Sequence, residues 1–249
     1  MGLLLLGKET AAWAQAPSPN PHRQFLPLVM PAPASCAPVD TARFAALSVN
    51  PPVTDRPADI HADLNLALRG YQRGSASATY IWLGGDSDER APQLSSMFQP
   101  PQRPPIHAVY QVRHWDWTHN QPGQPISHPP VTLISLELPA NQPLYLPDSG
   151  YDIGQGYEAL VLYAEPHRIT LKYTREDNVI QGYTLHLENI CVAPSLLELY
   201  NTLNARGRDQ LPALRAGQAF AHTRATPLAL AIRDNGSFME ARSRKDWWR

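Results

Sequence analysis

From Ile60 onward the chain breaks into short apolar runs separated by Gly, Pro, Asn and Asp, the spacing of an all-β protein. The earliest runs are Tyr80–Leu83, Ala108–Val112 and Val131–Leu138, each bounded by turn formers. The pattern then sharpens into three strands over 158–164, 168–174 and 182–188. In the second, Ile169, Leu171 and Tyr173 fall on one face and Thr170 and Lys172 on the other. In the third, Thr184, His186 and Glu188 form the polar face, which such alternation predicts to meet water. Glu165-Pro-His167 and Arg175-Glu-Asp-Asn178 are the turns, so the three strands predict an antiparallel meander. A helix is expected from Ser195 to about Asn204, opened by the capping box Ser195-Leu-Leu-Glu198 and buried through Leu196, Leu199, Tyr200 and Leu203. A last strand follows at 228–233.

Composition adds an N-terminal region of a different kind. Proline makes up 26 of 249 residues, about twice the usual ~5% share, and clusters at 17–38, 92–105 and 122–130. Residues 1–16 read as an export signal: Gly2–Leu6 is a short apolar run, and Ala12-Trp13-Ala14 fits the small-x-small cleavage rule. Residues 17–58 read as a Pro-rich linker, 59–140 as a β-rich region of unknown type, and 141–249 as a second β domain. No later segment has the ~20 apolar residues a bilayer-spanning helix needs. In an exported chain the two cysteines, Cys36 and Cys191, are expected to form a disulfide. A net charge of −1 gives no electrostatic case for nucleic acid.

Four segments of the C-terminal half carry a resemblance. In order they are Asp148-Ser-Gly-Tyr-Asp152, Gly182-Tyr-Thr-Leu-His186-Leu187, Leu214-Arg-Ala-Gly217-Gln218 and Leu228-Ala-Leu-Ala-Ile-Arg233-Asp-Asn-Gly236. Over about residues 144–240 this resembles the M23 (lysostaphin/LytM-like) zinc endopeptidases. Such a likeness implies an antiparallel β-roll with a short inserted helix. It also implies a zinc held by a His-x-x-x-Asp motif and a His-x-His pair, with a further histidine assisting the water. Here Asp152 matches the carboxylate ligand, Asp148 stands where a histidine belongs, and His186 matches the assisting histidine. The His-x-His pair falls on Pro227-Leu-Ala229, whose side chains bind no metal. The resemblance therefore implies a vestigial centre without zinc, in a non-catalytic protein that binds or organises peptidoglycan or another envelope polymer. The segment Phe25-Leu-Pro-Leu-Val-Met30 resembles one found just after the signal of exported Chloroflexi proteins.

Two other readings stay open. One is a divergent metallohydrolase using Asp148, Asp152 and His186, with His222 as an additional ligand. The other is a structural or adhesive surface domain unrelated to the family. His61, Asp63, His107, His114, His119 and His128 fit no metal-ligand spacing. Trp82, Tyr110, Trp115 and Trp117 offer faces that stack sugars, although aromatics more often pack a core. The turn at Asp86-Ser-Asp88-Glu89 reads as solvated, and Trp247-Trp248 as docking back onto the domain.

Overall fold

The structure is a computed structural model and describes residues 43–249. The expected signal, most of the Pro-rich linker and Cys36 lie outside the described residues, and with Cys36 the proposed pairing to Cys191. The strands are β1 Ala45–Ser48, β2 Tyr71–Arg73, β3 Ile106–Asp116, β4 Gln121–Pro125, β5 Leu133–Leu136, β6 Pro143–Tyr145 and β7 Ala159–Glu165. They continue with β8 Arg168–Lys172, β9 Tyr183–Glu188, β10 Ile190–Val192, β11 Gln210–Leu214, β12 Ala219–Thr223, β13 Leu228–Asp234 and β14 Ser237–Phe238. Two helices, α1 Pro194–Ala205 and α2 Arg244–Trp247, complete the regular structure together with three short 3-10 turns.

The fold is mainly antiparallel β, built on an open sheet. Its strand order is β1-β11-β7-β8-β9-β13-β5-β3-β2, with β14 added to β13 and β4 to β3. A second, three-stranded sheet runs β10-β12-β6. The predicted meander is there as β7-β8-β9, and the expected last strand is β13. Asn189, at φ 62, turns the chain out of β9 so that β10 enters the second sheet. A short polar side chain tolerates that left-handed backbone better than a β-branched one.

Four expectations change. The boundary at 140/141 separates no two bodies, because β5 lies between β3 and β13 and ties both regions into one sheet. The expected linker ends early, since β1 at 45–48 pairs with β11. Tyr80–Leu83 is not a strand: Ile81 makes only an isolated bridge to Ser243. Helix α1 also starts one residue before the expected cap. Ala193 is its N-cap and Pro194 the first helical residue, so a proline with its preset φ, rather than Ser195, opens the helix.

Across β8, β9 and β13 the sheet presents two contrasting faces. On one, Ile169, Leu171, Leu185, Leu187, Leu230 and Ile232 join the main core. On the other, register aligns Lys172, Thr184 and Arg233 in one row, and Thr170, His186 and Ala231 in the next. A third row carries Arg168, Glu188, Ala229 and Ser135. Lys172 and Thr184 are 0% exposed and His186 1%, so this polar face does not meet water as expected. The segment around residues 62–69 covers it: the Thr170 hydroxyl donates to the Leu64 carbonyl at 2.6 Å, and Leu66 packs beside Ala229 and Ala231.

The C-terminus docks as expected. Trp247 and Trp248 are buried, and their indole N–H groups donate to the Glu240 and Ala241 carbonyls.

Candidate functional site

The residues matched to the zinc pattern do not converge. His186 and Ala229 do share a face on neighbouring strands, with Ala229 opposite Glu188 and Ala231 opposite His186. Asp148 and Asp152 lie on the loop after β6, over the other face of the sheet. There the Tyr173 hydroxyl donates to the Pro147 carbonyl at 3.1 Å, and the Tyr151 ring meets Tyr183 edge-on at 5.9 Å. The Asp152 carboxylate accepts the Gly154 N–H, which makes it a turn former. His222 sits on β12 in the second sheet, opposite Cys191. Among the described residues no three of His, Cys, Asp and Glu are grouped so as to hold a metal ion.

His186 has a different role from the one its strand position suggested. One ring nitrogen lies 3.0 Å from the Thr170 hydroxyl, and the other, Nε2, is buried with no hydrogen-bond partner among the described residues. Burial holds its pKa well below the ordinary histidine value, and Arg233 pushes the same way, so the ring stays neutral. Lys172, in the next row, is lowered to about 8, chiefly by burial, with Glu176 opposing. Glu188 is raised by burial, which the nearby Arg168 only partly offsets.

Where this polar face runs out toward β14, it opens into a cleft of about 330 Å³. Its floor holds Arg69 and Arg233, each nearly buried, and both guanidiniums bind the same Asp63 Oδ1, at 2.6 and 2.8 Å. Burial pushes the Asp63 carboxyl up, but Arg233 and Arg69 together more than offset this and leave it lowered. Arg69 also donates to the Ala62 and Arg113 carbonyls, and Arg233 to Gly236. Phe238 lies between them, its ring centroid 4.6 Å from the Arg233 guanidinium carbon and 5.6 Å from that of Arg69.

Aromatic rings form the wall. Trp115 and Trp117 stand edge to face with centroids 6.3 Å apart, and Trp117 keeps 42% of its surface exposed. Trp115 lies near the end of β3 and Trp117 in the turn that joins β3 to β4, and both line the cleft together with Ser237 and Phe238 of β14. Arg56 sits 5.2 Å from the Trp117 ring and His61 packs against it at 5.3 Å, fixing its orientation. His114 and His128 stand at the rim.

The sequence raised Trp115 and Trp117 as faces that could stack sugars, while favouring their packing into the fold, and did not raise Arg69 and Arg233 as partners. Two arginines far apart in the chain carry no local pattern that marks them as partners. A smaller pocket of about 180 Å³ lies at the other end of the polar face, between Tyr71, Tyr110, Ser135 and Ala229. Comparison with known proteins finds no family model, no curated protein and no solved structure that matches this chain.

Proposed function

We propose that this is an exported, non-catalytic binding protein whose cleft between Trp115, Trp117, Arg69 and Arg233 holds a segment of a cell-envelope or extracellular polymer. The observation that carries the reading is an open cleft that joins exposed indole to buried guanidinium. Its volume of about 330 Å³ falls at the lower end of the ~300–1,000 Å³ of ligand sites. Flat indole faces stack on the C–H faces of sugar rings, while fixed N–H donors orient the hydroxyls. The export-type N-terminal pattern favours an envelope polymer such as peptidoglycan as the partner.

The metallohydrolase reading requires Asp148, Asp152, His186 and His222 around one metal, and these residues occupy different faces and different sheets. Elemental analysis of the purified protein is expected to find no stoichiometric zinc; one zinc per chain favours the hydrolase instead. The binding reading is tested by sedimentation with purified peptidoglycan and other insoluble envelope polymers. Wild-type protein is expected in the pellet of at least one polymer, and Trp117→Ala in the supernatant. Retention of both proteins alike, or of neither by any polymer, would refute the cleft as the binding site and leave the structural-domain reading.

A further inference from the structure

The charge of the cleft selects among polymers. Two guanidiniums share one carboxylate at its floor, so the Arg69–Asp63–Arg233 cluster carries one net positive charge. Beyond Asp63 no carboxylate lines the cleft among the described residues, and its remaining titratable lining groups are His114 and His128. Protein acceptors take one N–H from each guanidinium nitrogen, three on each arginine. The second N–H of each terminal nitrogen is left without a protein acceptor among the described residues. Arg233 is held on β13 by Gly236, and Arg69 by Ala62 and Arg113, so both donors are fixed before any ligand arrives. A positive excess held in place at the bottom of a partly desolvated cleft is worth more to an anion than the same charge on a mobile surface lysine. Planar, paired N–H donors also match a carboxylate in geometry.

We infer that the ligand is an acidic saccharide, a uronic or other carboxylated sugar residue seated with its carboxylate on Arg69 and Arg233 and its ring against Trp115 and Trp117. This rests on the reading of the cleft as a glycan-binding site. The indole wall favours a sugar over an acidic peptide, because Trp117 lines the cleft with 42% of its surface exposed and gives a sugar ring an apolar surface to lie against.

The test is isothermal titration of the full chain with tetragalacturonate, with the neutral galactose tetramer, and with a glutamate-rich tetrapeptide. Tetragalacturonate is expected to bind at least tenfold more tightly than the neutral tetramer, and to weaken as salt rises. Ser237, exposed at the cleft on β14, supplies the variant. Ser237→Glu should lower the ratio of tetragalacturonate to neutral-tetramer affinity at least tenfold, whereas an equal loss for both tetramers would mark a steric effect and count against the acid preference. His114→Glu, exposed on β3, serves if that variant does not fold. Equal binding of the charged and neutral tetramers keeps the glycan site and overturns its acid preference. Binding of the peptide alone overturns the saccharide; binding of none of the three overturns the inference, and the reading beneath it falls as well only if wild-type protein is also absent from every polymer pellet.

Discussion

The two faces of the β8-β9-β13 sheet are equally buried and built on opposite physics. The face of Leu171, Leu185 and Ile232 is held by packing and apolar burial, which needs no particular partner. The face of Thr170, Lys172, His186 and Arg233 is just as dry but carries polar groups that must be matched one by one. It is matched incompletely: Thr184 Oγ1, His186 Nε2 and Glu188 Oε1 have no hydrogen-bond partner among the described residues. The lesson is that the polar face is poorly explained as a stabilising element. Its charged end, where Asp63, Arg69 and Arg233 meet, is the part that reaches the cleft.

If that contrast is correct, the largest effect comes from leaving the two arginines without their carboxylate. Asp63→Ala should cost about 3–5 kcal/mol in denaturant unfolding, since it strands like charges in a nearly dry site. On the apolar face, Leu185→Ala should cost ~2–5 kcal/mol by loss of burial and creation of a cavity, with no effect on ligand binding. Equal losses of ligand binding in both variants would erase the distinction between the faces.

Lys172 should behave with the opposite sign. A fall from 10.5 to about 8 means that its charge is disfavoured in the fold by roughly 3 kcal/mol at neutral pH. Lys172→Met should therefore raise stability at pH 7 by about 1–3 kcal/mol. Between pH 8 and 10.5 the unfolded chain holds this proton and the folded chain does not, so wild-type stability rises with pH across that window. Lys172→Met should lack that rise, and its advantage should vanish near pH 10.5. A loss of stability at pH 7 would show the ammonium to be well solvated or paired.

The smallest effect concerns His186. Because burial lowers its folded pKa, the unfolded chain takes up a proton first as pH falls below about 6.5, and stability drops. His186→Leu removes this contribution and a buried unpartnered nitrogen, so it should be near neutral at pH 7.5 and relatively more stable at pH 5. Urea midpoints of the two proteins at both pH values decide it, and parallel losses on acidification would place the imidazole in contact with water.

How much of this was legible in the sequence follows from the range of the interactions. The β7-β8-β9 meander was readable because each strand pairs with its neighbour across a short turn. The insertion of β5 beside β13, and of β1 beside β11, joins segments far apart in the chain, which local alternation does not encode. Alternation at Thr184, His186 and Glu188 correctly separated two faces but could not say that residues 62–69 cover the polar one. The helix cap was misplaced because Ser195 and Glu198 form a good box while Pro194, one residue earlier, already fits the first helical position. At the site, the exposed Trp117 was visible as chemistry, whereas Arg69 and Arg233 become a pair only through Asp63.

The most direct measurement is the affinity of Asp63→Asn for tetragalacturonate, set against its melting temperature. Asparagine keeps an acceptor for both guanidiniums and removes the one negative charge beside them. The protein should melt lower than wild type yet bind the acidic tetramer more tightly, because the cleft floor then carries two uncompensated charges. A folded Asp63→Asn protein that binds the tetramer no better than wild type would contradict the claim that the buried polar face serves the cleft.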